Sequence, residues 1–199
     1  MNILCFGDSN TYGISPLDGK RFDEHTRWPC LLADKLGAGH LVIEAGLPNR
    51  TIADEPPFSG DKLGVKYLEP YLRAYHIDVI IIQLGTNDLK RRFGLAADDI
   101  AKALDTLIVD IEIHYLHREM PKIVVLSPSA VYEVGAYQSI YAGAAKKAKQ
   151  LTVEYKLVTE RHECHFINGY ALLAPCQTEG VHWQAQEHKL LADYLFEYL

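Results

Sequence analysis

The sequence predicts an α/β protein, a three-layer α/β/α sandwich built on a five-stranded parallel sheet. Three observations carry that expectation. Five short runs rich in Val, Ile and Leu recur at residues 2–6, 41–45, 79–84, 122–126 and 165–168. Most of them are apolar throughout rather than alternating, as strands covered on both faces must be. Helix-length stretches separate them, so strand and helix alternate to the C-terminus, the pattern of right-handed parallel crossovers.

Each helix has a local reason. Residues 28–36 carry Pro29 in the opening turn, where its missing N–H costs nothing. Residues 62–75 form the second, interrupted by Pro70. In residues 98–119, Ile100, Leu104, Leu107, Ile111 and Tyr115 recur at steps of three and four and make one apolar stripe. Asp98 and Asp99 suit the positive end of that helix, and Pro121 is expected to stop it. Residues 139–155 and 184–199 complete the set. The loops at 11–26, 47–60 and 126–139 follow strand C-terminal ends, where open α/β sheets bind their ligands. A flavodoxin-like strand order, 2-1-3-4-5, places the first and third strands side by side at the switch point.

Composition narrows the function classes. A chain of 199 residues fits one domain spanning 1–199, and 48% hydrophobic residues supply a sizeable core. Lys and Arg number 20 against 26 Asp and Glu, for a net charge of −6, which argues against a nucleic-acid partner. No run approaches the roughly 18 apolar residues of a membrane span. The N-terminus has no basic leader, so a cytoplasmic protein without a membrane partner is expected. Cys5, Cys30, Cys164 and Cys176 form no C-x-x-C pair and read as free thiols. No Gly-rich phosphate loop is present, and neither His114/His117 nor His162/Cys164/His165 has a matching second cluster. No cofactor and no metal are therefore expected. Lys146, Lys147 and Lys149 read as the wet face of a helix.

The chemistry gathers at strand ends. Phe6-Gly7-Asp8-Ser9-Asn10 follows the first apolar run, and a serine at a strand-to-turn junction is where a nucleophile belongs in such a fold. Serine also favours plain turns and helix caps. Gly85-Thr86-Asn87-Asp88 follows the third strand and Gly46 the second. Near the other end, Glu179 and His182 stand three residues apart, just before the last helix. An imidazole there can take the hydroxyl proton of Ser9, and a carboxylate can fix its tautomer.

These blocks resemble those of the SGNH hydrolase superfamily, the GDSL-type esterases and lipases. The resemblance rests on Gly7-Asp8-Ser9, Gly46, Gly85-Thr86-Asn87-Asp88 and His182, in that order along the chain. Longer phrases are similar to an arylesterase and acyltransferase-like branch: Phe6 to Gly13, Arg27-Trp28-Pro29, Leu84 to Lys90, and Gly180-Val181-His182. The resemblance implies a serine esterase with Ser9 as nucleophile, His182 as base and Glu179 as its orienting acid. It implies an oxyanion hole made by the Ser9 N–H, the Gly46 N–H and the Asn87 side-chain amide. It implies a small-molecule ester substrate, and the branch implies assembly into homo-oligomers. Two departures stand out. Glu179 replaces the usual Asp and adds one methylene, about 1.5 Å of reach, so its side chain must fold or its loop must shift. Pro48-Asn49 stands where relatives often carry a further glycine.

Short acyl chains are expected, because a chain of this size leaves little material for a deep lipid tunnel or a lid. Acyl transfer or perhydrolysis, thioester or amide hydrolysis, and a non-catalytic binding module are the alternatives. The first two would use the same three residues, and labelling of Ser9 by a fluorophosphonate would exclude the last.

Overall fold

The computed structural model describes residues 1–53 and 62–199, and of residues 62–65 only the backbone. The sheet strands are β1 (Asn2–Gly7), β2 (Leu41–Gly46), β5 (Val79–Gln83), β6 (Lys122–Leu126) and β7 (His165–Ile167). Between β2 and β5 lie β3 (Arg50–Thr51) and β4 (Lys62–Leu63), which pair with each other alone. The main sheet is parallel throughout and runs β2-β1-β5-β6-β7. Counted among its own strands this order is 2-1-3-4-5. Every expected strand is present within a residue of its expected ends, because a doubly buried strand needs an unbroken apolar run and the sequence supplies five.

The helices are α1 (Ser9–Tyr12), α2 (Trp28–Leu36), α3 (Gly64–Ala74), α4 (Ala97–His114), α5 (Ala144–Arg161), α6 (Gly169–Leu172) and α7 (Ala185–Tyr198). They cover both faces of the sheet. Leu4 and Phe6 of β1 point to the layer of α3, α4 and α5, whereas Ile3 and Cys5 point to that of α2 and α7. Fully burying one such side chain contributes about 1.5–3 kcal/mol. Trp28 is wholly buried in the second layer, among Leu32, Leu191 and Leu195.

The expected helix boundaries need three corrections. α4 stops at His114, short of Glu119, and Pro121 does not end it. The N–H of Tyr115 still bonds back to Ile111 and Glu112, and then Arg118 N–H bonds Tyr115 O at 2.8 Å to start the reversal into β6. α5 begins at Ala144 rather than 139, because Gly143 sits at φ 87° and breaks the helical path. It then continues six residues past the expected end, burying Val158 and Thr159. α3 keeps Pro70 inside, and its first two expected residues belong to β4 instead. The expected loop at 47–60 lies outside the described residues from 54 onward.

Register sets up the site. Gly7 pairs with Gly46 on one side and with Gln83 on the other. The C-terminal ends of β1, β2 and β5 are therefore level, and the segments that follow them emerge at one edge of the sheet.

Candidate active site

Ser9 opens α1 directly after β1. Asp8 caps that helix: its Oδ1 accepts the Asn10 N–H at 2.9 Å. Gly7 permits the reversal, since a Cβ there would lie 2.1 Å from Thr11 Oγ1 and 2.8 Å from Gln83 O. Asp8 is wholly buried, and burial raises its carboxyl above the ordinary value despite hydrogen bonds that pull the other way. The bond to Asn10 ties its side chain into the turn that carries Ser9.

His182 arrives from the loop between α6 and α7. Its Nε2 lies 3.0 Å from Ser9 Oγ, and its Nδ1 lies 2.5 Å from Glu179 Oε1. A carboxylate only accepts, so Nδ1 carries the proton and Nε2 presents its lone pair to the Ser9 hydroxyl. The extra methylene of glutamate is absorbed by folding the side chain over its own turn. Glu179 Oε2 accepts the N–H of Val181 at 2.9 Å and of His182 at 2.7 Å. Burial works against this charge, but the His182 imidazole and those two N–H groups outweigh it and hold the carboxyl below its ordinary range. Gly180, at φ 95°, admits the Tyr132 strand of chain: a Cβ would stand 2.1 Å from Tyr132 O. Three backbone bonds close the loop, Gly180 N–H to Cys176 O, Cys176 N–H to His182 O and Tyr132 N–H to Gly180 O.

Asn87 begins a short 3-10 turn after β5 and is almost fully buried. Its Nδ2 donates to Arg50 O at 3.0 Å, and its Oδ1 faces the Tyr141 hydroxyl at 3.5 Å. One Nδ2 hydrogen is thereby used, and the other bonds no described group. Asp88 beside it accepts the N–H groups of Ile52 and Ala53 at 2.8–3.1 Å, and burial pushes its carboxyl up to about 6.

Gly46 has a packing reason to be glycine, because α1 closes over it: a Cβ would lie 2.2 Å from Tyr12 N and 2.6 Å from Thr11 C. The turn beyond it, closed by Arg50 N–H to Leu47 O at 3.1 Å, carries Asn49 at φ 64°. Asn49 Oδ1 accepts from Lys90 Nζ at 2.9 Å. The only legible sign of this turn was Pro48-Asn49, a pair suited to turns and to a left-handed residue.

These distances bring Ser9, His182 and Glu179 together, the Asn87 turn follows β5 beside β1, and a family model for the GDSL-like lipases and acylhydrolases matches residues 5–189. The chain belongs to that family. This GDSL-type chain is a carboxylic-ester hydrolase. Its fold is similar to that of Est24, a carbohydrate acetylesterase from Sinorhizobium meliloti, with TM-score 0.92, 26% identity, and 99% of this chain and 97% of that one covered. It is similar also to the native M. smegmatis aryl esterase, with TM-score 0.89, 31% identity, and coverage of 99% and 97%. A lipolytic G-D-S-L family protein from Veillonella parvula shares the fold at 18% identity and TM-score 0.71, covering 99% and 97%. A comparison with curated proteins gave no match.

In this GDSL-type hydrolase Arg50 sits beneath the site, 2% exposed. It donates from Nη1 to Gly7 O at 2.9 Å and to Ala45 O, and its guanidinium lies 4.1 Å from the Phe6 ring centre. Burial lowers its pKa to about 10. Arg50 thus ties together the ends of β1 and β2 by side chain, and reaches Asn87 by its carbonyl. Nothing in the sequence singled it out. Tyr137 sets its ring edge-to-face on His182 at 5.7 Å. Elsewhere, His162 bridges Glu112 at 2.8 Å and Asp105 at 3.0 Å, an ionic staple between α4 and the end of α5. Among the described residues no group of three or more His, Cys, Asp or Glu side chains gathers as a metal site. No helix among them is long and apolar enough to cross a membrane.

Proposed function

We propose that this enzyme hydrolyses short acyl esters, acetyl esters first, through an acyl-enzyme on Ser9. The observation that carries the reading is the continuous relay from Ser9 Oγ to His182 Nε2 at 3.0 Å and from Nδ1 to Glu179 at 2.5 Å. Ser9 Oγ attacks the ester carbon while its proton passes to Nε2. The tetrahedral intermediate collapses, and the imidazolium returns that proton to the leaving alcohol. Water then repeats the sequence on the acyl-enzyme and releases the acid. Glu179 stays ionised throughout and stabilises the imidazolium.

The negative oxygen needs fixed donors. The Ser9 N–H opens a helix and bonds no other described group. The second hydrogen of Asn87 Nδ2 is a further donor. With Gly46 packed under α1, the third is assigned to the Asn49 N–H, which also bonds no described group and precedes the carbonyl that holds Asn87. The acetyl preference draws support from the carbohydrate acetylesterase named among the similar structures.

Initial rates of wild type and Ser9→Ala on p-nitrophenyl esters of increasing acyl length test the reading. The expected result is a maximum at acetyl, lost in Ser9→Ala, with Ser9 labelled by a fluorophosphonate. Equal or better rates on long acyl chains would overturn the preference, and full activity of Ser9→Ala would overturn the mechanism.

A further inference from the structure

Asn10 follows the nucleophile, lies in α1 and is wholly buried. Its side chain leaves α1 and meets the segment that carries the base. Nδ2 donates to Val181 O at 3.3 Å, and Oδ1 accepts the Trp183 N–H at 3.1 Å. These are the carbonyl just before His182 and the amide just after it. A carbonyl accepts and an N–H donates, so the Asn10 amide has one orientation only. It brackets His182 as a neighbouring β-strand would.

The sheet does not hold these two segments together. β1 leads into Ser9, β7 precedes the His182 loop, and β5 and β6 lie between them. The other backbone bonds of the loop run within it, to Glu179 and Cys176, or to Tyr132 in the segment after β6. Among the described residues, α1 and residues 179–183 are joined by three hydrogen bonds: the two from Asn10, and the Ser9–His182 bond itself. The two bonding residues of α1 are consecutive in sequence, and so are the three of the loop.

We propose that Asn10 is a positioning residue that sets the Ser9–His182 separation by clamping the backbone on both sides of the imidazole. The proposal rests on the esterase reading above. A shift of about 1 Å would take the 3.0 Å Oγ–Nε2 pair out of hydrogen-bond range, and displacements of that size cost about 10²-fold in rate. Leucine at this position fills similar space without either bond, whereas aspartate keeps the acceptor for Trp183 and loses the donor to Val181.

The test measures kcat and KM on p-nitrophenyl acetate, and the rate of Ser9 inactivation by a fluorophosphonate, for wild type, Asn10→Ala, Asn10→Leu and Asn10→Asp. The expected result is a fall in kcat of about 10- to 100-fold for Ala and Leu, with a smaller fall for Asp. KM should change by less than about threefold and inactivation should slow in parallel, since both reactions use the same oxygen–nitrogen pair. A residue that only stabilises the fold would lower the melting temperature and leave both rates intact well below it. Rates within about twofold of wild type in the folded variants would overturn the proposal. One measurement needs no variant: the Trp183 amide hydrogen of the wild-type protein should exchange slowly with solvent, and exchange as fast as a surface amide would also overturn it. If wild type neither turns over esters nor is labelled at Ser9, the esterase reading falls, and amide exchange still decides the clamp.

Discussion

Glu179 is the residue whose chemistry can be worked most closely. Its two oxygens accept three hydrogen bonds, from Nδ1 of His182 and from the N–H groups of Val181 and His182. Glutamine at this position has one acceptor oxygen and one NH2. If the oxygen stays on the two backbone N–H groups, the NH2 faces Nδ1 and donates to it. The ring must then carry its proton on Nε2, which points at Ser9 and can no longer accept. If the amide flips, the tautomer survives, but the NH2 is set against two backbone donors. Leaving those buried donors unbonded costs about 1–3 kcal/mol each. The first arrangement wins, and the base is lost. A wrong tautomer of this kind lowers kcat by about 10⁴ in a serine hydrolase. Glu179→Gln is therefore expected to lose about 10³–10⁴ in kcat, roughly 4–5.5 kcal/mol of barrier, with KM nearly unchanged. Stopped-flow turnover of p-nitrophenyl acetate reads the rate, and nitrogen NMR of the imidazole reads the tautomer. Glu179→Asp withdraws about 1.5 Å of reach, enough to open the 2.5 Å contact, and should lose activity as well. A Glu179→Gln enzyme within tenfold of wild-type kcat, or one with its proton still on Nδ1, would refute this reasoning.

Gly46→Ala should cost about 1–3 kcal/mol of stability by overpacking, because the new methyl group meets the backbone of Tyr12 and Thr11; an unchanged urea midpoint would count against it. His188 is wholly buried, and burial, with the charge of Arg27, lowers its pKa to about 4. An unfolded histidine binds its proton below about 6.5, so stability should fall as pH drops from there to about 4, by roughly 3 kcal/mol. Denaturant melts across that range check it, and His188→Phe should flatten the slope. His162 behaves oppositely: burial disfavours its charge, but Glu112 and Asp105 outweigh that and raise its pKa. Its contribution is complete below about 6.5 and is lost as pH rises through the raised value. His162→Gln should thus destabilise the protein at pH 6 more than at pH 9, and equal losses at both would contradict the staple.

The strands and the reactive groups were legible in short stretches of the chain. Val79-Ile80-Ile81-Ile82, short and β-branched, reads as a strand buried on both faces, and it is one. Ser9 and His182 were legible because Gly7-Asp8-Ser9 and Gly180-Val181-His182 stand among blocks that resemble a known family in order; an imidazole near a carboxylate alone is common here, as Glu24-His25 and Glu187-His188 show. Helix ends were less legible. Gly143 breaks the helical path by its positive φ, and Tyr115 ends a stripe where the chain reverses toward β6; neither residue type by itself marks a helix end there.

The layered α/β architecture and the reactive side chains at the strand ends were readable from the chain alone, whereas the strand order was an assumption of a flavodoxin-like fold until the sheet gave it. The first two follow from hydrophobic period and residue chemistry, which are properties of short stretches. How Glu179 reaches His182, what packs over position 46, and the bonds Arg50 and Asn10 make between segments become visible in the folded chain. Each of those depends on backbone atoms brought close by folding, such as Tyr12 over Gly46 or Val181 and Trp183 beside Asn10. A backbone carbonyl or N–H is the same in every residue, so a sequence carries no mark of which one a side chain will meet.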